Sequence, residues 1–475
     1  MHFDKAGESR PFFYPIDPFA RPAVGHGNIG AGGPPVCTLN PGPRIMSNLL
    51  ILVLAATILW TYLVELTSSR LHLPAVIPLV LTGLGINALL PVFGTELRWV
   101  DRMLPILGSI GLVLIVLEGA LDLDLRRQKR GLILRSAALA LIGILFCTAT
   151  FGWLAMQFFG LDSFVALAIA IPFAVISSAV AIPSARSLSP RAREFVVYES
   201  SISDIIGVLV FFAWLASGGD RHQFLRGLLG GGALSVLISL LLSGILFMVV
   251  NHIRGHVRFI PILAGLFLLY TLGKQFHLST LLLILFFGLL LNNAGMLRRV
   301  PRLNAWMVEN YEASVLEFKS IVAEVTFAVR GVFFVLLGVW TPLGALADWK
   351  SWLTAVVATA LIFAIRRLSL WLLRVDDRPA LLWLAPRGLI TVLLILSAAE
   401  QVNLNPFPPG AVMLTVLLTC TAVLMARPHR HIEPIIAATG APPSPDAPGD
   451  VAQALSIAPT QADTRSSADG TEPNG

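Results

Sequence analysis

The sequence predicts an all-α polytopic membrane protein of about thirteen transmembrane helices, built as an inverted repeat in which helices five and twelve are broken. Three observations predict it. Of 475 residues, 56% are hydrophobic and 13% charged, and mean hydropathy is +0.78. Apolar segments begin near residues 47, 73, 103, 131, 162, 194, 224, 258, 278, 318, 350, 380 and 407, and they repeatedly reach the roughly 20 residues that span a bilayer. Basic residues alternate in density from one connecting loop to the next.

The loops after odd-numbered spans carry Arg70; Arg126, Arg127, Lys129 and Arg130; Arg186, Arg191 and Arg193; Arg254 and Arg258; Arg298, Arg299 and Arg302; Arg366, Arg367, Arg374 and Arg378; then Arg427 and Arg430. The loops after even-numbered spans are poorer. Cytoplasmic loops are the basic ones, so the odd loops and the C-terminus are expected inside a cell (inner) membrane and the N-terminus outside. The net charge of +6 and pI near 9.5 thus belong to membrane topology rather than to a nucleic-acid surface.

Flanking segments lack the pattern. Residues 1–46 are rich in Pro and Gly with no signal-peptide layout, and Met46 stands directly before the first apolar run, so this stretch is expected to be a disordered extension or a mis-assigned start. Residues 47–426 form the transmembrane domain, and 427–475, poor in aromatics, are expected to be a disordered cytoplasmic tail. Cys37, Cys147 and Cys420 are scattered, with no disulfide or metal spacing. His252, His256, His429 and His431 sit in loops and receive no role.

Six spans, one linker and six spans set the second half upside down relative to the first. In such repeats, interrupted helices at corresponding positions mark the binding site. The fifth span is interrupted at Ser177, Ser178 and Pro183, and the twelfth, the fifth of its half, at Pro386, Arg387 and Gly388.

The sixth span carries the chemistry. It contains Glu199, Ser200, Ser201, Ser203 and Asp204, and an ionisable group at bilayer depth is a functional-site hypothesis by default. On a helix Ser200, Ser201 and Gly207 share the face of Asp204. Broken backbone and the hydroxyls of Ser177 and Ser178 add the oxygens that a hard monovalent cation needs. Burial disfavours the bare carboxylate, so Asp204 can hold a proton or a cation. One carboxylate with two competing ligands is the minimal equipment of an exchanger.

Glu199 lies five residues before Asp204, roughly 140° around the helix, and reads as a paired structural carboxylate. Arg387 and Arg330 are the buried cations available to it; the sequence does not choose between them. Glu118 and Glu324 are the other carboxylates that could serve these arginines. Asp122 and Asp124, before a run of arginines, read as a solvated helix end.

Taken together, LEGALDLDL from Glu118, SSAVAI from Ser177, YESSISD from Tyr198, RGVFFVLLG from Arg330 and APRGLI from Ala385 resemble the monovalent cation:proton antiporter superfamily, in its sodium/proton exchanger fold and bacterial NhaP-like branch. The resemblance implies that Asp204 binds the cation or proton, that Glu199 pairs with Arg387, and that the protein is a homodimer. It also implies electroneutral exchange of Na⁺, K⁺ or Li⁺ for H⁺, since electrogenic relatives carry two adjacent aspartates where this chain has one. Two departures stand out. The residue before the aspartate is Ser203 where the family has Asn, and Ser177, Ser178 and Ala179 replace its Thr-Asp-Pro.

No cofactor, nucleic acid or enzymatic activity is expected: HExxH, GxSxG and paired intramembrane aspartates do not occur. The readings that compete with exchange are a sodium-coupled organic-anion symporter, for which Arg387 beside a break would serve, and a homologue that does not transport.

Overall fold

The computed structural model describes residues 43–71, 73–90, 100–125, 127–226, 237–238, 240–245, 259–275, 280–293, 311–375 and 377–426. Among these residues every regular element is a helix. They are α1 (Pro43–Leu71), α2 (Val76–Leu89), α3 (Val100–Asp122), α4 (Arg130–Phe159), α5 (Ser163–Ala174), α6 (Ser178–Ser184), α7 (Pro190–Ala216), α8 (Phe259–Gln275), α9 (Thr280–Asn292), α10 (Tyr311–Trp340), α11 (Trp349–Leu372), α12 (Arg378–Leu382), α13 (Leu389–Ala399) and α14 (Gly410–Ala422), with a few shorter turns between them. Among the described residues six stretches are long and apolar enough to cross a membrane, the interrupted Ser163–Ser184 among them.

Local chemistry explains the boundaries. Asp162 starts α5 by accepting the Phe164 amide at 3.0 Å, and Ser189 starts α7 by accepting the Ala192 amide at 3.2 Å, with Pro190 in the first turn. Such caps satisfy N–H groups that have no partner inside the helix. Gly160 ends α4 in the left-handed conformation, φ 62°, which glycine adopts without steric penalty.

Most of the expected spans coincide with helices. The seventh falls largely outside the described residues, as do Cys37, His252, His256, His429, His431, residues 1–42 and the 427–475 tail. Helix α1 begins at Pro43, so Met46 lies within its first turn rather than before it.

The helices sort into two bundles. In the first, α10 packs on α1, α2 and α3, while α9 packs on α3 and α8. In the second, α4 packs on α5, α7 and α11, α7 on α5 and α6, α13 on α5, and α11 on α12 and α14. Among the described residues, helices from both halves of the chain therefore enter each bundle. Close approach needs small residues: α2 and α10 meet at Gly83 and Gly338, where a side chain on either would strike the backbone of the other. Small residues at such crossings are how helices associate in lipid.

Burial is inverted relative to a soluble protein. Leu134, Phe146, Trp153 and Phe158 of α4 and Trp349, Trp352, Leu368 and Trp371 of α11 are exposed, whereas Glu199, Asp204, Arg366 and Arg387 are buried. An apolar exterior around a polar interior suits hydrocarbon as solvent.

Candidate functional site

The site is built where two broken helices touch. Between α5 and α6 the chain is extended at Val175 and Ser177, and between α12 and α13 it is irregular from Leu384 to Gly388. The Ser177 amide donates to the Pro386 carbonyl at 2.9 Å, so the two breaks pair backbone to backbone. Gly388 sits in this contact, and a methyl there would fall 2.6 Å from Ser177 Oγ.

Helix α7 lies against the crossing. Gly207 faces Val175, whose side chain leaves no room for a Cβ at 207. One turn earlier, Ser203 Oγ accepts the Ile176 amide at 3.0 Å. Asp204 stands between them and is 4% exposed. Its Oδ2 faces the Ser178 amide at 3.4 Å, long for an N–H···O bond. Its Oδ1 has no hydrogen-bond partner and, among the described residues, no cation lies within ion-pair distance of either oxygen. Ser177 Oγ is likewise buried without a partner. Ser200 is turned inward on its own helix, donating to the Val196 carbonyl at 2.7 Å.

Glu199 contrasts with Asp204. Both of its oxygens are held by Arg366, at 2.7 Å from Nη1 and 3.1 Å from Nη2, while Arg366 Nε donates to the Leu381 carbonyl at 2.7 Å. This corrects two expectations. The partner of Glu199 is neither Arg387 nor Arg330, and Arg366 does not belong to a cytoplasmic loop but to the buried face of α11. A guanidinium fork matches a carboxylate edge on, and a two-bond pair is the geometry that sustains burial.

Arg387 is 2% exposed and bonds backbone instead. It donates from Nε to the Phe173 carbonyl and from Nη1 to that of Ala385 at 3.2 Å. Phe173 is in the last turn of α5, where carbonyls lack helical partners and a cation is favoured. Thr419 Oγ1 accepts the Arg387 amide at 3.0 Å. Arg330 donates to the Ala179 carbonyl at 2.9 Å and lies 3.8 Å from Glu118. Glu324 is exposed on α10. Asp122 pairs with Lys319 at 2.6 Å and Asp124 with Lys129 at 3.5 Å.

A cavity of about 840 Å³ reaches the crossing. Its walls include Glu65, Glu118, Ser178, Ala179, Arg186 and Arg330, so it lies toward the end of the molecule where α1, α3 and α6 run into basic connections. Asp204 does not line it. Ser178, whose amide faces Asp204, does.

The family model for the transmembrane sodium/hydrogen exchangers matches residues 52–428. The chain belongs to the sodium/hydrogen exchanger family. Its structure is similar to that of the sodium proton antiporter MjNhaP1 from Methanocaldococcus jannaschii at pH 8, with TM-score 0.64, 18% identity, and 80% of this chain and 98% of that chain covered. An electron-microscopy structure of the same antiporter matches with TM-score 0.60 at 19% identity, covering 79% and 94%. No curated protein matches this exchanger-family chain in sequence. The likeness in structure establishes the shared fold, with its all-helical, multi-pass membrane architecture.

Sequence reasoning missed Arg366 and Thr419 within this exchanger fold. The signal for Arg366 was present: Ser351, Ala355, Ala358, Ile362, Arg366 and Ser369 are all buried and recur at helical spacing. Arg366 continues an inward face, whereas Arg367 beside it is exposed.

Proposed function

We propose that this protein exchanges sodium for protons across the cell membrane, one for one, by competition of the two cations for Asp204. The observation that carries the reading is a buried carboxylate without a countercharge among the described residues, at the crossing of two broken helices and one residue contact behind a large cavity. A bare anion so placed is costly. Either a proton or a metal cation relieves the cost, so the site is occupied by one or the other.

Coordination is assigned to Asp204 with oxygens of Ser177 and Ser178. Ser203 and Ser200 shape the site by fixing the break and the helix, since their hydroxyls are engaged with Ile176 and Val196. Glu199 takes no part in the exchange because Arg366 neutralises it, which leaves a single exchangeable charge at the crossing and supports electroneutral stoichiometry. The basic loops face the cytoplasm in this reading, and the protein works as a homodimer, as the resemblance to the NhaP-like branch implies.

The test uses proteoliposomes carrying an imposed pH gradient. Sodium is expected to collapse the gradient in the wild type, at a rate unaffected by clamping the membrane potential, and Asp204→Asn to be silent. Lithium and potassium are run as separate arms, and a stronger response to either reassigns the cation. Silence of the folded wild type with all three ends the exchanger reading.

A further inference from the structure

Pro183 leaves a gap in α6. The carbonyl of Ala179 looks for the N–H four residues on, and proline has none. The donor comes from elsewhere: Arg330 Nη1, at 2.9 Å. Arg330 belongs to α10 in the first bundle, and α6 to the second, so the bond joins the two. On its own side Arg330 Nη2 lies 3.8 Å from Glu118 of α3. All three residues line the cavity. Nε of Arg330 is buried with no partner among the described residues, so the guanidinium is not placed where it bonds most fully. It is placed where it spans the bundles, beside the residue that precedes Ala179, Ser178, whose amide faces Asp204.

We propose that Arg330 is a positioning residue for the exchange, latching the α6 half-helix to the first bundle in the conformation whose cavity reaches Ser178. The latch rests on Asp204 being the exchange site, and it opens when the site turns to the other face of the membrane. Glu118 steers the arginine, and Pro183, lacking an N–H, leaves the Ala179 carbonyl to an outside donor. Because the bond exists in one conformation, it biases the equilibrium between the two without touching the transported ion.

That bias has an asymmetric signature. Apparent affinity on each side scales with the population open to that side. Breaking a charge-assisted bond shifts such an equilibrium by about tenfold. If the cavity-open conformation dominates, Arg330→Ala raises apparent sodium affinity on the opposite side by close to tenfold and lowers it modestly on the cavity side. Arg330→Lys, which keeps a charged donor, stays within about twofold of wild type on both sides.

The experiment measures sodium-driven exchange from each side of proteoliposomes in which one orientation is silenced by an impermeant maleimide on Ser184→Cys, a cavity-lining position, in a background lacking the native cysteines. Opposed shifts in the two apparent affinities support the latch; shifts in the same direction, or a fall in kcat alone, overturn it. Pro183→Ala supplies the second arm, because it returns an N–H to Ala179. In that background Arg330→Ala should have little further effect, and additive effects of the two changes overturn the proposal. The maleimide labelling rate of Ser184→Cys reads the cavity-open population without any transport. It falls in Arg330→Ala if the latch is real, even where Asp204→Asn abolishes or leaves unaltered the exchange, so the two readings fail separately; an unchanged rate overturns the latch.

Discussion

Glu199 and Asp204 are both buried carboxylates on α7, 2% and 4% exposed, five residues apart, and the protein treats them in opposite ways. Glu199 meets a two-pronged arginine that is itself completed by the Leu381 carbonyl. Asp204 meets Ser178, whose amide makes one long contact with Oδ2, and its Oδ1 is unpartnered among the described residues. One is a closed electrostatic unit that gains nothing from a further ion. The other is open, and the proposed exchange draws on that incompleteness. Burial alone does not separate the two carboxylates; the state of their partners does, and on that difference the proposed exchange role of Asp204 rests.

The largest expected effect tests the open carboxylate. Asp204→Asn should abolish cation-dependent proton flux while leaving the thermal unfolding midpoint equal to or above that of the wild type, since no pair is broken. A marked loss of stability would mean that Asp204 is braced by something and would erase the contrast with Glu199.

Next comes the closed pair. Glu199→Gln leaves Arg366 buried and unpaired, a change that costs about 3–5 kcal/mol, read as a lower unfolding midpoint in detergent. Replacing both partners, Glu199→Leu with Arg366→Met, should recover much of that loss. If the double variant is stable yet transports nothing, the pair has a role in exchange beyond bracing.

Smaller effects probe the crossing. Gly207→Ala drives a methyl into Val175 and should destabilise by about 1–3 kcal/mol, as overpacking does, with partial rescue by Val175→Ala. The smallest change is Ser178→Ala, which keeps the amide that faces Asp204. Stability should stay within about 0.5 kcal/mol of wild type while sodium KM rises several-fold and kcat holds, measured in the same gradient assay.

Much of this was legible in the sequence because membrane energetics make exceptions conspicuous. Asp204 among serines, Ser177, Ser178 and Pro183 inside one apolar run, and Pro386, Arg387 and Gly388 inside another violate the surrounding pattern, and those violations mark the crossing. The pairing of Glu199 was not legible in the same way. Arg366 stands beside Arg367, and two adjacent arginines imitate a basic loop until helical register separates the inward one from the outward one. Arg330 was recognised as buried, but its acceptor was not, because the open carbonyl of Ala179 is created by Pro183, 147 positions away in the chain. A proline announces that some acceptor is left over; only the packed structure says who answers.

The bond from the Ser177 amide to the Pro386 carbonyl has a consequence for how such a protein can vary. It is made entirely of main-chain atoms, so any residue except proline at 177 preserves it, and the side chains on either side are free to differ. The two half-sites are therefore riveted together by a joint indifferent to spelling. Side chains around that joint can change while the framework that carries them keeps its shape at very low identity.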